Sequence, residues 1–142
     1  MLKNVPPLIS PDLMHALMSM GHGDEIVLAD GNFPGASNAQ RLIRADGHEI
    51  APMLKAIMQF FPLDNYVSPA ALVMEVLPDD DVDPVIWNDY CRILADATGK
   101  KIALGQMERH EFYERARSAF AIVATGEGAL YANLILVKGV VA

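Results

Sequence analysis

The sequence predicts a single α/β domain in which helices cover both faces of a mixed central sheet. Three observations carry this. Helical periodicities alternate with short apolar strands along the chain, the pattern of a layered α/β domain. The chain has 142 residues, 52% of them apolar; that length fits one domain, which buries about two-thirds of its unfolded surface and needs no staples. Only a turn separates the last two strands, which argues for a sheet that is not purely parallel.

The elements follow in order. Ser10-Pro11-Asp12 opens the first helix: Ser caps, Pro takes the first helical position and Asp complements the helix dipole. Leu13, Met14, Leu17 and Met18 form its apolar face, His15 falls off that face, and Gly21 is expected to end it with left-handed cap geometry. Residues 25–29, Glu-Ile-Val-Leu-Ala, are the first strand. Residues 30–40, rich in Gly, Pro, Ser and Asn, are expected to be loop. Arg41 to Arg44 reads as a short strand.

A second helix should run from His48 or Glu49 to Phe61, with Ile50, Met53, Leu54, Ile57, Met58 and Phe61 in register and Pro62 as its stop. Residues 63–69 are loop, and Ala70 to Val76 reads as a strand. Asp79, Asp80, Asp81 and Asp83 form an acidic turn that lacks the alternating ligands and closing Glu of a calcium loop. Asp83-Pro84 is expected to start a third helix, with Ile86, Tyr90, Ile93, Leu94 and Ala97 inward and Gly99 as its end. Lys101 to Leu104 reads as a strand. Arg109 to Ser118 reads as a fourth helix, with Glu111 and Arg115 spaced for an i, i+4 pair. Ala119 to Ala124 and Leu134 to Val137 are the last strands.

Composition narrows the function. The formal charge of −7 argues against nucleic acid, whose phosphates need a basic patch. No apolar run approaches the roughly 18 residues that span a bilayer, and no leader-like segment opens the chain, so no membrane is expected. The one cysteine, Cys91, cannot pair within the chain and fits a cytoplasmic protein. No Gly-x-Gly-x-x-Gly follows a strand, so no dinucleotide site is supported. Neither a metal nor any other cofactor is expected. Met14, Met18, Met53 and Met58 sit at apolar helix positions, where they fill core gaps or line a subunit contact.

The chemistry gathers around Gly21-His22-Gly23-Asp24-Glu25 and Asp30. Histidine is the side chain suited to giving and taking protons near neutral pH. His22 lies between two glycines at one end of a buried strand. Asp30 lies at the other end, and together they are expected to furnish a polar cleft. Taken alone, Gly-His-Gly is a weak motif, and His22 could be an ordinary loop residue.

Five segments carry more. These are Pro7-Leu8-Ile9-Ser10-Pro11; Gly21 to Glu25 with Asp30-Gly31-Asn32-Phe33-Pro34; Phe112-Tyr113-Glu114-Arg115-Ala116; Thr125-Gly126-Glu127; and Tyr131-Ala132-Asn133. In order and spacing they resemble the L-fucose mutarotase and D-ribose pyranase family across nearly the whole chain. The resemblance implies a three-layer α/β/α sandwich and a cofactor-free isomerase that interconverts the α and β anomers of a monosaccharide, L-fucose before D-ribose. It implies His22 as proton donor and Asp30, Arg109, Tyr131, Ala132 and Asn133 as sugar-binding residues. Arg109 stands where fucose mutarotases carry Arg and ribose pyranases His; Asn32 stands where fucose mutarotases often carry His. Without the family, Asp30 reads as a loop cap and Arg109 as a surface ion-pair residue. A carboxylate accepts two sugar hydroxyls, an aromatic face covers the apolar side of a sugar, and an amide bonds hydroxyls. Tyr66 is a further candidate, while His15 and His48 are expected to face solvent.

Two rivals share these features: a D-ribose pyranase and a monosaccharide-binding protein without turnover. A pure binder needs no titrating His22. The family also implies a homo-oligomer, a decamer of two stacked rings, with sites at subunit boundaries. The apolar carboxy terminus Gly139-Val140-Val141-Ala142 is consistent with covered surface.

Overall fold

The computed structural model describes residues 1–142. Its elements are α1 (Pro11–Ser19), β1 (Glu25–Ala29), α2 (Gly35–Asn38), β2 (Leu42–Ala45), α3 (Ile50–Ile57), β3 (Ala71–Met74), α4 (Ile86–Thr98), β4 (Gly105–Met107), α5 (Arg109–Ser118), β5 (Ala121–Thr125) and β6 (Leu134–Val137). The strands form one six-stranded sheet in the order β2-β5-β1-β6-β3-β4. β1 pairs parallel with β5, and β5 with β2, while β6 runs antiparallel to both β1 and β3. β3 and β4 are parallel. Five strands therefore point one way and β6 alone points the other.

The sheet is mixed, as expected, but not through a hairpin. β1 lies between β5 and β6, so residues 126–133 carry the chain across the end of β1. The β2-α3-β3 and β3-α4-β4 connections step one way along the sheet; β1-α2-β2 and β4-α5-β5 step the other. Right-handed crossovers then put α3 and α4 on one face and α2 and α5 on the opposite one. The packing agrees: α3 lies against α4, and α2 against α5. β3 and β6 are buried at every residue, which is why their sequences are apolar runs rather than alternating ones.

Several local expectations change. α1 is capped by Ser10, whose Oγ accepts the Leu13 amide at 3.1 Å, but it buries Leu13, Ala16 and Leu17 while Met18 is 80% exposed. α1 stops at Ser19 with Met20 extended, and the left-handed glycine is Gly23 (φ 86°), not Gly21. The loop after Asp30 contains the four-residue α2. α3 ends at Ile57, a turn short of Phe61, which is still buried. α4 begins at Ile86 with no side-chain cap from Asp83. β4 lies at Gly105–Met107 instead of 101–104, and a Cβ on Gly105 would overlap the Pro69 ring. Pairing with β3 thus starts at the one residue that admits Pro69. Arg115 does not bond Glu111; its guanidinium makes a forked, part-buried pair with Glu25 at the start of β1. That fork ties α5 to the sheet through two parallel charge-assisted contacts.

Candidate active site

The direction of the strands decides where polar side chains can gather. The five parallel strands end on one edge of the sheet, where open α/β sheets form crevices. Asp30 follows β1 there, Arg109 follows β4, and Asn133 precedes the antiparallel β6. A cavity of about 260 Å³ opens at this edge, with Asp30, Asn32, Phe33, Asp80, Arg109, Tyr113, Tyr131 and Asn133 in its lining. Its size suits a small polar molecule rather than a drug-sized one.

Asp30 and Asn133 lock each other. The Asp30 amide donates to Asn133 Oδ1 at 2.7 Å, and Asn133 Nδ2 donates to Asp30 Oδ2 at 3.1 Å. Asp30 Oδ1 accepts the Asn32 amide at 2.9 Å. Burial raises the Asp30 carboxyl above its ordinary range; the amides of Asn32 and Phe33 and the Asn133 side chain oppose that, and the Glu127 charge adds to it. Glu127 is itself buried, and its carboxylate accepts the amides of Ile50 and Ala129. Arg109 is exposed, forms none of the ion pairs, and lies with its guanidinium 5.6 Å from the Tyr113 ring centroid. Phe33 packs against Tyr113 and Phe112 beneath it. The Tyr131 phenol donates to Asp80 and accepts the Leu77 amide at 3.3 Å. Its hydrogen bond to Asp80 holds the phenol proton more firmly than usual. Ala132 is fully buried, and its carbonyl accepts the Tyr90 hydroxyl.

His22 is elsewhere. It precedes β1, at the edge where the parallel strands begin, and takes no part in this cavity. β1 separates it from Asp30 by eight residue steps, up to about 26 Å of extended chain. The expected cleft shared by His22 and Asp30 is therefore not formed within one chain. His22 has its own partners instead. Nε2 lies 3.0 Å from Asp64 Oδ1, and the Tyr66 ring packs against the imidazole with centroids 5.2 Å apart. A carboxylate only accepts, so Nε2 carries hydrogen and Nδ1 is left to exchange a proton. The His22 side chain is 45% exposed and that of Asp64 only 2%. Burial pushes the Asp64 carboxyl up, but the Tyr66 and Val67 amides and His22 outweigh it, and the group sits below its ordinary range.

The sequence did not point to Asp64, Asp80 or Tyr113. Asp64 sits in a non-periodic loop and Asp80 in an acidic turn, where nothing local tells them from solvated residues; Tyr113 lies in the Phe112 to Ala116 segment that carries the resemblance, which gave it no role. His15 and His48 are exposed, as expected. A larger groove of about 590 Å³ lies between α3 and α4, but none of the candidate site residues lines it. No three His, Cys, Asp or Glu side chains converge as metal ligands.

Comparison with known proteins places this geometry. Residues 3–141 match the model of the RbsD / FucU transport protein family. The chain belongs to that family. Within it, a human protein named fucose mutarotase is 54% identical, over 99% of this chain and 95% of its own length. An L-fucose mutarotase of Histophilus somni is 42% identical, over 99% of this chain and 97% of that one. The crystal structure of the Streptococcus pneumoniae fucose mutarotase in complex with L-fucose superposes with a TM-score of 0.94 at 50% identity, covering 99% of this chain and all of that one. The family fold extends further: Bacillus subtilis RbsD, complexed with D-ribose, shares it at a TM-score of 0.74 and 20% identity, each chain fully covered.

Proposed function

We propose that this protein is a sugar isomerase, a mutarotase that interconverts the α and β anomers of L-fucose by acid–base ring opening and reclosure. The observation that carries the reading is the 50%-identical structure that binds L-fucose, taken with the cavity of Asp30, Arg109, Tyr131 and Asn133 at the same fold's strand ends. L-Fucose is favoured over D-ribose because relatives at 42–54% identity are named for fucose, whereas the D-ribose complex is only 20% identical.

Mutarotation needs little machinery. A base takes the anomeric hydroxyl proton, the bond from the anomeric carbon to the ring oxygen breaks, and the ring oxygen receives a proton. The open-chain aldehyde turns about its first carbon–carbon bond, and the same steps in reverse close the ring on either face. Positioned proton transfer contributes roughly 10²–10⁴-fold. In this reading Asp30 and Asn133 accept and donate hydroxyl hydrogen bonds, Arg109 supports negative charge on the opening oxygen, and Tyr131 and Tyr113 cover the apolar face. Asn133 keeps the Asp30 oxygens aimed at the cavity. Ala132 sits beneath as the spacer between Tyr131 and Asn133.

His22, with Asp64 fixing its tautomer, is the proton-transfer group. Because it faces the far edge of its own sheet, it serves the cavity of a neighbouring copy. The working unit is then a homo-oligomer, a decamer, whose sites are shared between subunits. The whole chain, 1–142, acts as one mutarotase domain in the cytoplasm, where the lone Cys91 stays reduced. L-Fucose exchange spectroscopy by NMR tests the reading: selective inversion of one anomer transfers to the other faster with protein than without. Binding with no acceleration would leave a sugar-binding protein without turnover, and no binding would remove L-fucose as substrate.

A further inference from the structure

Tyr131 and Asn4 are the only non-glycine residues with positive φ, and Tyr131 has φ 57°. A side chain of this size in the left-handed region is strained and needs outside support. The support comes from α4. Trp87 Nε1 donates to the Tyr131 carbonyl at 2.8 Å, and the Tyr90 hydroxyl donates to the Ala132 carbonyl at 2.6 Å. Trp87 and Tyr90 are three residues apart and so share one helix face. Neither lines the sugar cavity. Fixing two successive carbonyls fixes two successive planar peptides, and with them the segment that carries both Tyr131 and Asn133. At the other end of the same side chain, the Tyr131 phenol is tied to Asp80.

We infer that Trp87 and Tyr90 are positioning residues that hold Tyr131 in its left-handed conformation and thereby set how tightly the cavity takes sugar. The inference rests on the reading of that cavity as a monosaccharide site. It separates two quantities. The clamp acts on the binding edge, while proton transfer belongs to His22 on the opposite edge, so loosening the clamp raises KM and leaves kcat in place. It also makes Trp87, the chain's one tryptophan, a built-in reporter, because its indole N–H ends on the backbone of a sugar-contacting residue.

The test uses Trp87→Phe, Tyr90→Phe and the double variant, each keeping a ring and losing a donor, in the full assembled protein. Exchange NMR on L-fucose gives KM and kcat. Each single variant is expected to raise KM about fivefold, the worth of one net hydrogen bond, with kcat within about twofold of wild type. In crystals of the double variant, Tyr131 is expected to leave the left-handed region. In the wild-type protein, the Trp87 indole ¹⁵N–¹H resonance is expected to shift as L-fucose saturates. A lowered kcat at unchanged KM, a Tyr131 that keeps its φ in the double variant, or an indole signal unmoved at saturating sugar would each overturn the inference. Should the wild-type protein fail to exchange L-fucose at all, the substrate reading falls separately, and the Tyr131 φ of the double variant still decides the clamp. Should the double variant not fold, the indole shift and the single variants decide it.

Discussion

The two edges of the sheet are built on opposite plans. Where the parallel strands end, polar groups are cross-braced: Asp30 and Asn133 bond each other both ways, and Tyr131 is held by its phenol and its backbone. Where they begin, one half-exposed imidazole rests on one buried carboxylate, with a single exposed ring beside it. The first edge is cross-braced and rich in groups that bond hydroxyls; the second is open and leaves one ring nitrogen of His22 clear of the carboxylate. The two carboxylates also move in opposite directions, Asp30 above its ordinary range and Asp64 below it. On the roles proposed above, binding and proton transfer fall at opposite ends of one strand, and a chain by itself would hold two half-sites rather than one site.

The segregation can be broken most severely at the proton-transfer edge. His22→Ala is expected to lower the L-fucose exchange rate by at least about 100-fold while sugar still binds, as read by saturation-difference NMR. Exchange at the wild-type rate would remove His22 from the chemistry. At the binding edge, Asp30→Asn is expected to raise KM about tenfold, because an amide offers one acceptor where the carboxylate offers two and sets its N–H₂ against Asn133 Nδ2. Unchanged affinity would take Asp30 out of the site.

Acid should separate the edges without mutation. Asp30, with its raised value, takes up a proton first as pH falls, so KM for L-fucose is expected to rise while the lowered Asp64 is still ionised. Asp64, depressed on folding, stabilises the protein above its unfolded value and loses that contribution as pH falls through its folded one. Asp30, raised by burial, opposes folding at neutral pH and ceases to do so once protonated. Thermal melts of Asp64→Asn against wild type should therefore show a deficit at neutral pH that closes under strong acid; a deficit that widens with acid contradicts the assignment. The smallest effect is expected from Tyr66→Ala, which removes a ring from an exposed imidazole and should change exchange about twofold.

Much of this was legible in the sequence, and the exceptions are instructive. β1, α5 and β6 lie where their patterns place them, though α5 is capped by Glu108 rather than supported by the expected Glu111–Arg115 pair. α2 was hidden among Gly, Pro, Ser and Asn, and β4 starts at Gly105, whose missing Cβ leaves room for the Pro69 ring, a long-range contact that no local pattern reveals. Asp30, Arg109, Tyr131 and Asn133 meet at one cavity, while Ala132 is buried outside its lining. His22 and Asp30 were expected to share a cleft, and strand direction forbids it in one chain. Asp64 was invisible because its role depends on a partner 42 residues away.

The central claim is that two copies complete each site, and mixing tests it directly. His22→Ala and Asp30→Asn subunits, each at about a tenth of wild-type exchange or less when L-fucose is kept below KM, are coexpressed and assembled together. If a site takes its histidine from one subunit and its aspartate from the next, random assembly of equal amounts restores about a quarter of the wild-type sites, and L-fucose exchange recovers accordingly. If both residues served within one chain, every site in the mixture would carry a defect, and exchange would stay at the level of the separate variants.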